Sequence, residues 1–217
     1  MKYLIYILPV SINVLELITI VIGIIYYKSY KHTFLKYFLY FLIFGFLTEM
    51  VGIFVVVVLH KSNFIIYNLY ALVQFIFFLW LFYKYFKTEQ YKTLSKFFIT
   101  AIVLFFILDT FFLQDIFSAF QSYFFFLGGI FLITISILFL VELLNSDAIL
   151  SVKNLLIFWI TIGIFLFQLG FIPVFITKSV INFSQQLTYS YILLILNIIS
   201  CTCYSIGFIR SKEGIDY

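Results

Sequence analysis

Five polar side chains lie where a chain this apolar has little room for them. Glu16, Glu49, Gln74, Gln168 and Asn197 each sit inside a long run of Leu, Ile, Phe and Val. A carboxyl or amide group buried in lipid is costly and marks a site by default. If each run is a helix rising about 1.5 Å per residue, Glu16 comes about 18 Å below the outer end of its segment, Glu49 about 16 Å, Gln74 about 15 Å and Asn197 about 14–15 Å, with Gln168 slightly shallower. The polar groups of five segments thus fall at nearly one depth. Two carboxyls at equal depth on neighbouring helices can approach each other, and desolvation with like charge then leaves at most one of them ionised. Such a pair can share a proton, release it on a conformational change, or bind a cation. It can also grip a cationic or hydroxylated ligand, with Gln74 and Asn197 as neutral partners.

Helical spacing sorts these residues onto faces. Pro9, Asn13, Glu16, Ile20 and Gly23 follow one face of the first segment, and Gly45, Glu49 and Gly52 one face of the second. Tyr67, Tyr70 and Gln74 align on the third, and Asn197, Ser200, Cys201 and Tyr204 on the seventh. Asn13 and Tyr70 thereby join Glu16, Glu49, Gln74, Gln168 and Asn197 as the candidate ligand or proton site. Gly45 with Gly52, and Gly163 with Gly170, are pairs that predict close helix packing. Amides and hydroxyls also act as glue between membrane helices, which is the plainer role for Gln168, Asn197 and Ser200. A carboxyl is costlier there than an amide, so Glu16 and Glu49 carry the functional argument. Glu142, near the inner end of its segment, reads as snorkelling to water, and Asp109 and Asp115, near the outer end, as solvated.

No enzymatic constellation can be assembled from these residues. There is no G-x-S-x-G elbow and no H-E-x-x-H pair. His32 and His60 are isolated at segment ends, and Cys201 and Cys203 lie inside an apolar run, too few soft ligands for a zinc site and no disulfide framework. No Lys lies at the depth a retinal Schiff base needs, and no run of intramembrane Arg suggests a voltage sensor. The reading is therefore of no catalytic residue, no metal and no cofactor, and it leans away from an enzyme.

Composition says what must position the polar layer. The 217 residues are 65% apolar, 24% aromatic and 10% charged, with a mean hydropathy of +1.19. A soluble domain is about half apolar and about a quarter charged. A soluble globular enzyme and a disordered chain are both excluded on that ground. Net charge is +4, but the cations are scattered between apolar runs and form no stripe, which excludes a nucleic-acid partner.

A membrane helix needs about 20 mostly apolar residues. The runs 3–27, 34–60, 64–86, 97–113, 121–145, 154–177 and 187–209 qualify, and each must be helical because an open strand leaves backbone groups unpaired in lipid. The stretch Ile116–Phe120 can join either neighbour. The first run is longer than a signal-peptide core and no small-residue cleavage site follows it, so it reads as a retained membrane helix. The expected architecture is all-α and polytopic, a single seven-helix domain over 1–217 with no soluble domain.

Loop charge predicts the orientation. With the N-terminus outside, the inner side holds Lys28, Lys31, Lys36, Lys84, Lys87, Lys92, Lys96, Lys153, Arg210 and Lys212, and the outer side only Lys2, Lys61 and Lys178. Short loops are where this asymmetry orients a chain. An internal repeat of 3+1+3 helices is one reading of the matched glycine pairs and of Leu17-Ile18-Thr19-Ile20 against Leu132-Ile133-Thr134-Ile135. Coincidence in a biased composition is the other.

Several short stretches carry a resemblance: Glu49-Met50-Val51-Gly52, Tyr67-Asn68-Leu69-Tyr70 with Gln74-Phe75, Phe158-Trp159-Ile160 with Gly163, Gly170 with Pro173, and Tyr204 with Gly207-Phe208. On these the chain resembles small seven-helix integral membrane proteins of Bacteroidota, a group with no assigned activity. The resemblance implies multipass topology and an inner-membrane location, and nothing catalytic. The leading functional expectation is a receptor-like or regulatory module, in which the midplane residues sense a small ligand or protons and signal through a cytoplasmic or membrane protein on the basic inner face. The alternative is a small proton- or cation-coupled secondary transporter. A third reading is an assembly subunit of the bilayer without a ligand.

Overall fold

The computed structural model describes residues 2–178 and 186–211, with the side chains of 2–9, 148, 174–178 and 186–189 left out. The expected break at 179–185, Lys212, and the side chains of Lys2, Pro9 and Lys178 lie outside the described residues. The helices are α1 (Lys2–Ile25), the single turn α2 (Tyr27–Tyr30), α3 (Lys36–Val57), α4 (Phe64–Tyr85), α5 (Glu89–Leu108), α6 (Ser122–Leu144), α7 (Leu156–Lys178) and α8 (Gln186–Arg210). A π-helical turn, Asp109–Leu113, continues α5, and a 3-10 segment, Asp147–Asn154, joins α6 to α7. There is no strand among the described residues.

Lys36–Val57, Phe64–Tyr85, Glu89–Leu113, Ser122–Leu144, Leu156–Pro173 and Ser190–Arg210 are long and apolar enough to cross a membrane, and Val10–Ile25 is a shorter apolar helix. Leu47, Leu104, Phe111 and Phe112 are among many large apolar side chains left exposed on them. Lipid suits such a surface and water does not. This is a multipass membrane protein.

Two helix ends differ from the hydropathy reading, each for a local reason. α3 stops at Val57 and not at 60, because His60 takes a left-handed backbone, φ 53°. The amide of Lys61 then reaches back six residues to the carbonyl of Val55 at 3.2 Å, closing the helix end through a left-handed position that usually employs glycine. A left-handed non-glycine residue costs about 1–2 kcal/mol. His60 is exposed, so His60→Gly is expected to stabilise the protein by about 1 kcal/mol, seen as later thermal unfolding in detergent micelles. Earlier unfolding would contradict this.

α5 begins at Glu89, well before the apolar run at 97. The Glu142 carboxylate accepts the amides of Lys87 at 2.8 Å and Thr88 at 3.0 Å, the residues leading into the helix. Glu142 thus holds the two residues that lead into α5, at an exposed end of α6. A hydropathy window cannot see the polar first turns that this cap supports. Residues 114–121 belong to neither α5 nor α6.

The chain divides into two compact units, with the sequence boundaries falling within α3 and α6. One unit comprises Met1–Leu42 and Leu143–Tyr217. Within it α7 and α8 approach closely, the backbone of Gly163 facing the Tyr204 ring and that of Gly170 facing Leu196. Tyr30 is buried, and its hydroxyl donates to the Gly23 carbonyl at 2.5 Å. Its ring lies 5.2 Å from Phe208, and Phe38 meets Tyr204 edge-on at 5.0 Å. Burial, and then the hydroxyls of Tyr27 and Tyr40, keep the Tyr30 phenol neutral well above the ordinary tyrosine range.

The other unit, Ile43–Glu142, is cored by phenylalanine. Phe75 is fully buried and lies against the backbone of Gly128. It meets Phe124 at 5.5 Å and Phe125 at 5.2 Å, both edge-on. Phe106 meets Phe124 at 5.0 Å, Phe82 meets Phe139 at 5.4 Å, and Phe98 stacks on Phe131 at 4.1 Å. Such pairs contribute about 0.5–1.5 kcal/mol each beyond the area they bury. In lipid, where tails are as apolar as side chains, this geometry matters more than burial alone.

Candidate functional site

The candidate residues divide between the two units. Glu49, Tyr70 and Gln74 lie in Ile43–Glu142, whereas Asn13, Glu16, Gln168 and Asn197 lie in the other.

Glu49 is half-buried on α3, between Gly45 and Gly52 on the same face. The bare backbone of those glycines lets tyrosines of α4 come close. A Cβ on Gly52 would stand 2.6 Å from the Tyr67 hydroxyl oxygen, and one on Gly45 would stand 2.8 Å from that of Tyr70. So placed, the Tyr67 hydroxyl donates to Glu49 Oε2 at 3.0 Å. Asn63 adds a longer contact, its amide to the Gly52 carbonyl at 3.4 Å. Gln74 is half-buried one turn beyond Tyr70 on the same helix. A carboxyl held by a phenol in apolar surroundings can exchange a proton or accept a donor ligand.

In the other unit the polar groups form a looser ladder. Cys201 on α8 lies within hydrogen-bonding reach of Thr19 on α1. Ser205 is 3.5 Å from Thr19. Ser200 donates to the carbonyls of Leu196 at 3.0 Å and Gly163 at 3.3 Å, which ties α8 to α7. Asn197 spends its amide on the Leu193 carbonyl of its own helix at 2.8 Å. Gln168 is buried with its Oε1 unpartnered. Asn13 and Glu16 are half-buried.

A third constellation escapes the depth argument. Asp109, expected in solvent, is 0% exposed. It opens the π-helical turn, whose carbonyl–amide bond from Asp109 to Gln114 is 2.8 Å. Its Oδ2 accepts the amide of Phe124 at 3.2 Å. Gln114 Oε1 accepts the amide of Ser122 at 2.6 Å, and Asn68 Oδ1 accepts that of Gln121 at 3.1 Å. The first amides of a helix have no partner within it. Here three of those at the start of α6 are satisfied by side chains from α4, the π turn and the connecting loop. Asn68 also donates to the carbonyls of Ile116 at 3.1 Å and Ala119 at 2.9 Å, pinning the loop. Gln121 donates to Thr110 at 2.6 Å.

The carboxylates of the α5–α6 hairpin are reciprocal. Asp109, at the far end of α5, caps the start of α6, and Glu142, toward the end of α6, caps the approach to α5. One signal could have exposed the Asp109 cluster. Asn68, Asp109, Thr110, Gln114, Gln121 and Ser122 all fall at the same end of three consecutive apolar runs. Asp115 does stand in solvent, where the Phe117 amide and then the Ser118 hydroxyl hold its carboxyl below the usual range.

No family model matches this chain, and no curated protein or solved structure matches it either.

Proposed function

We propose that this multipass membrane protein is a receptor-like or regulatory module that senses protons or a small ligand within the bilayer and acts through a protein partner. The observation that carries the reading is the Glu49 carboxyl held by the Tyr67 hydroxyl at 3.0 Å inside apolar helices. Loss or gain of one proton there changes the α3–α4 contact directly, because the phenol can donate to either form but is held more strongly by the anion. Seven spans, an outside N-terminus, an inner-membrane location and a single functional domain complete the proposal. They rest on the apolar runs and on the lysine asymmetry, and membership of the Bacteroidota group rests on the short stretches that resemble it.

The second reading, a proton- or cation-coupled transporter, draws on two helix irregularities: the π turn at Asp109–Leu113 and Pro173 within α7. Interrupted helices often line transport sites.

The test uses the purified chain in liposomes carrying an entrapped pH dye. In a Trp159→Phe background, acidification is expected to change the emission of Trp80, which shares α4 with Tyr67. Glu49→Gln and Tyr67→Phe are expected to abolish most of that response, with no proton influx. Influx that Glu49→Gln abolishes would replace the sensor with the transporter. An unchanged response in the Glu16→Gln, Glu49→Gln double variant would leave an assembly subunit.

A further inference from the structure

Two acceptor atoms in the Asp109 cluster have no donor. Asp109 Oδ1 and Gln121 Oε1 are both buried and both unpartnered. Their side chains are held at one helix junction, Gln121 by Thr110, the residue after Asp109, at 2.6 Å, and Asp109 by the Phe124 amide, three residues after Gln121, at 3.2 Å. A buried acceptor left empty costs about 1–3 kcal/mol, and more when charged. Two of them in one cluster therefore call for a donor. The Phe124 amide bonds Asp109 directly, and the side chains that hold the adjoining start of α6, Asn68 from α4 and Gln114 from the loop, are neutral. Among the described residues no ion pair involves Asp109.

Independent of any role for Glu49, we infer that Asp109 is a proton-binding site: the neutral acid, its Oδ1–H donating to Gln121 Oε1, joins α5 to α6. One proton satisfies both empty acceptors and leaves the Phe124 amide on Oδ2 undisturbed. Releasing it leaves a carboxylate oxygen facing an amide oxygen, which favours separation of α6 from the π turn. The cluster thus binds its proton only while the junction is closed.

Infrared difference spectra of the full chain in micelles test this. At neutral pH the wild type is expected to show a protonated-carboxyl band that Asp109→Asn lacks, and Gln121→Leu is expected to move that band toward the free-acid position. Asp109→Asn, a neutral mimic of the acid, is expected to melt with the wild type, whereas Asp109→Ala melts earlier. A spectrum unchanged by Asp109→Asn overturns the inference, since Asp109 is then ionised against a reversed Gln121 amide. So does a wild-type melting point raised by sodium or potassium but not in Asp109→Asn, which would make the donor a metal cation. Asp109→Asn melting as early as Asp109→Ala overturns it as well.

Discussion

Asn68→Ala is expected to lower stability by about 2 kcal/mol or more, because it orphans the buried Gln121 amide and takes the partner from two part-buried carbonyls. Asn68 is 1% exposed on α4. Its single amide group accepts from the Gln121 backbone and donates to the carbonyls of Ile116 and Ala119. Alanine supplies neither the acceptor nor the donors. Asn68→Asp separates the two halves of the role: it retains the acceptor for Gln121 but turns a carboxylate oxygen toward two carbonyls, so it is expected to fall at least as far. The check is thermal unfolding in detergent, paired with proteolysis of the 114–121 loop. Cleavage there should accelerate in both variants well below the melting transition. An Asn68→Ala protein that melts with the wild type would remove the cluster from any account of the fold.

Phe75→Ala is expected to cost about 3–5 kcal/mol, the range for emptying a fully packed aromatic site. Phe75 is 0% exposed and contacts α6 through Gly128, Phe124 and Phe125. The reverse error should also show. A Cβ on Gly128 would stand 2.6 Å from two atoms of the Phe75 ring, and two flanking rings prevent that ring from swinging aside. Gly128→Ala is therefore expected to lose about 1–3 kcal/mol by overpacking, against the roughly 1 kcal/mol that alanine offers a helix. Phe75→Leu should relieve part of this loss, so the double variant is expected to be more stable than the sum of its singles by about 1 kcal/mol. Strict additivity in denaturant titrations would show that the two helices are not in contact at this point.

The helices themselves were legible because the bilayer imposes a length and forbids unpaired backbone. Ends were less so: α3 stops early at a left-handed His60 and α5 starts early under Glu142, and neither the backbone turn nor the remote cap leaves a mark on hydropathy. Glycine spacing had a readable meaning at Gly45 and Gly52, yet only the folded chain shows that tyrosine hydroxyls fill the space and that one of them takes Glu49. Position along a single helix places Asp109 near water. It is buried all the same, and the amide that holds it, at Phe124, comes from elsewhere in the chain.

Composition and apolar run length determined by themselves that this is an all-α membrane protein, and they marked Glu16 and Glu49 as costly groups. These are sums over one segment, and solvent preference reads them directly. Which carboxyls are held, and by what, was decided by tertiary structure alone. Glu49 depends on a phenol 18 residues away, and Asp109 on an amide 15 residues away. Hydrogen bonds act over about 3 Å, so their partners are set by packing between helices, which no single run of sequence contains.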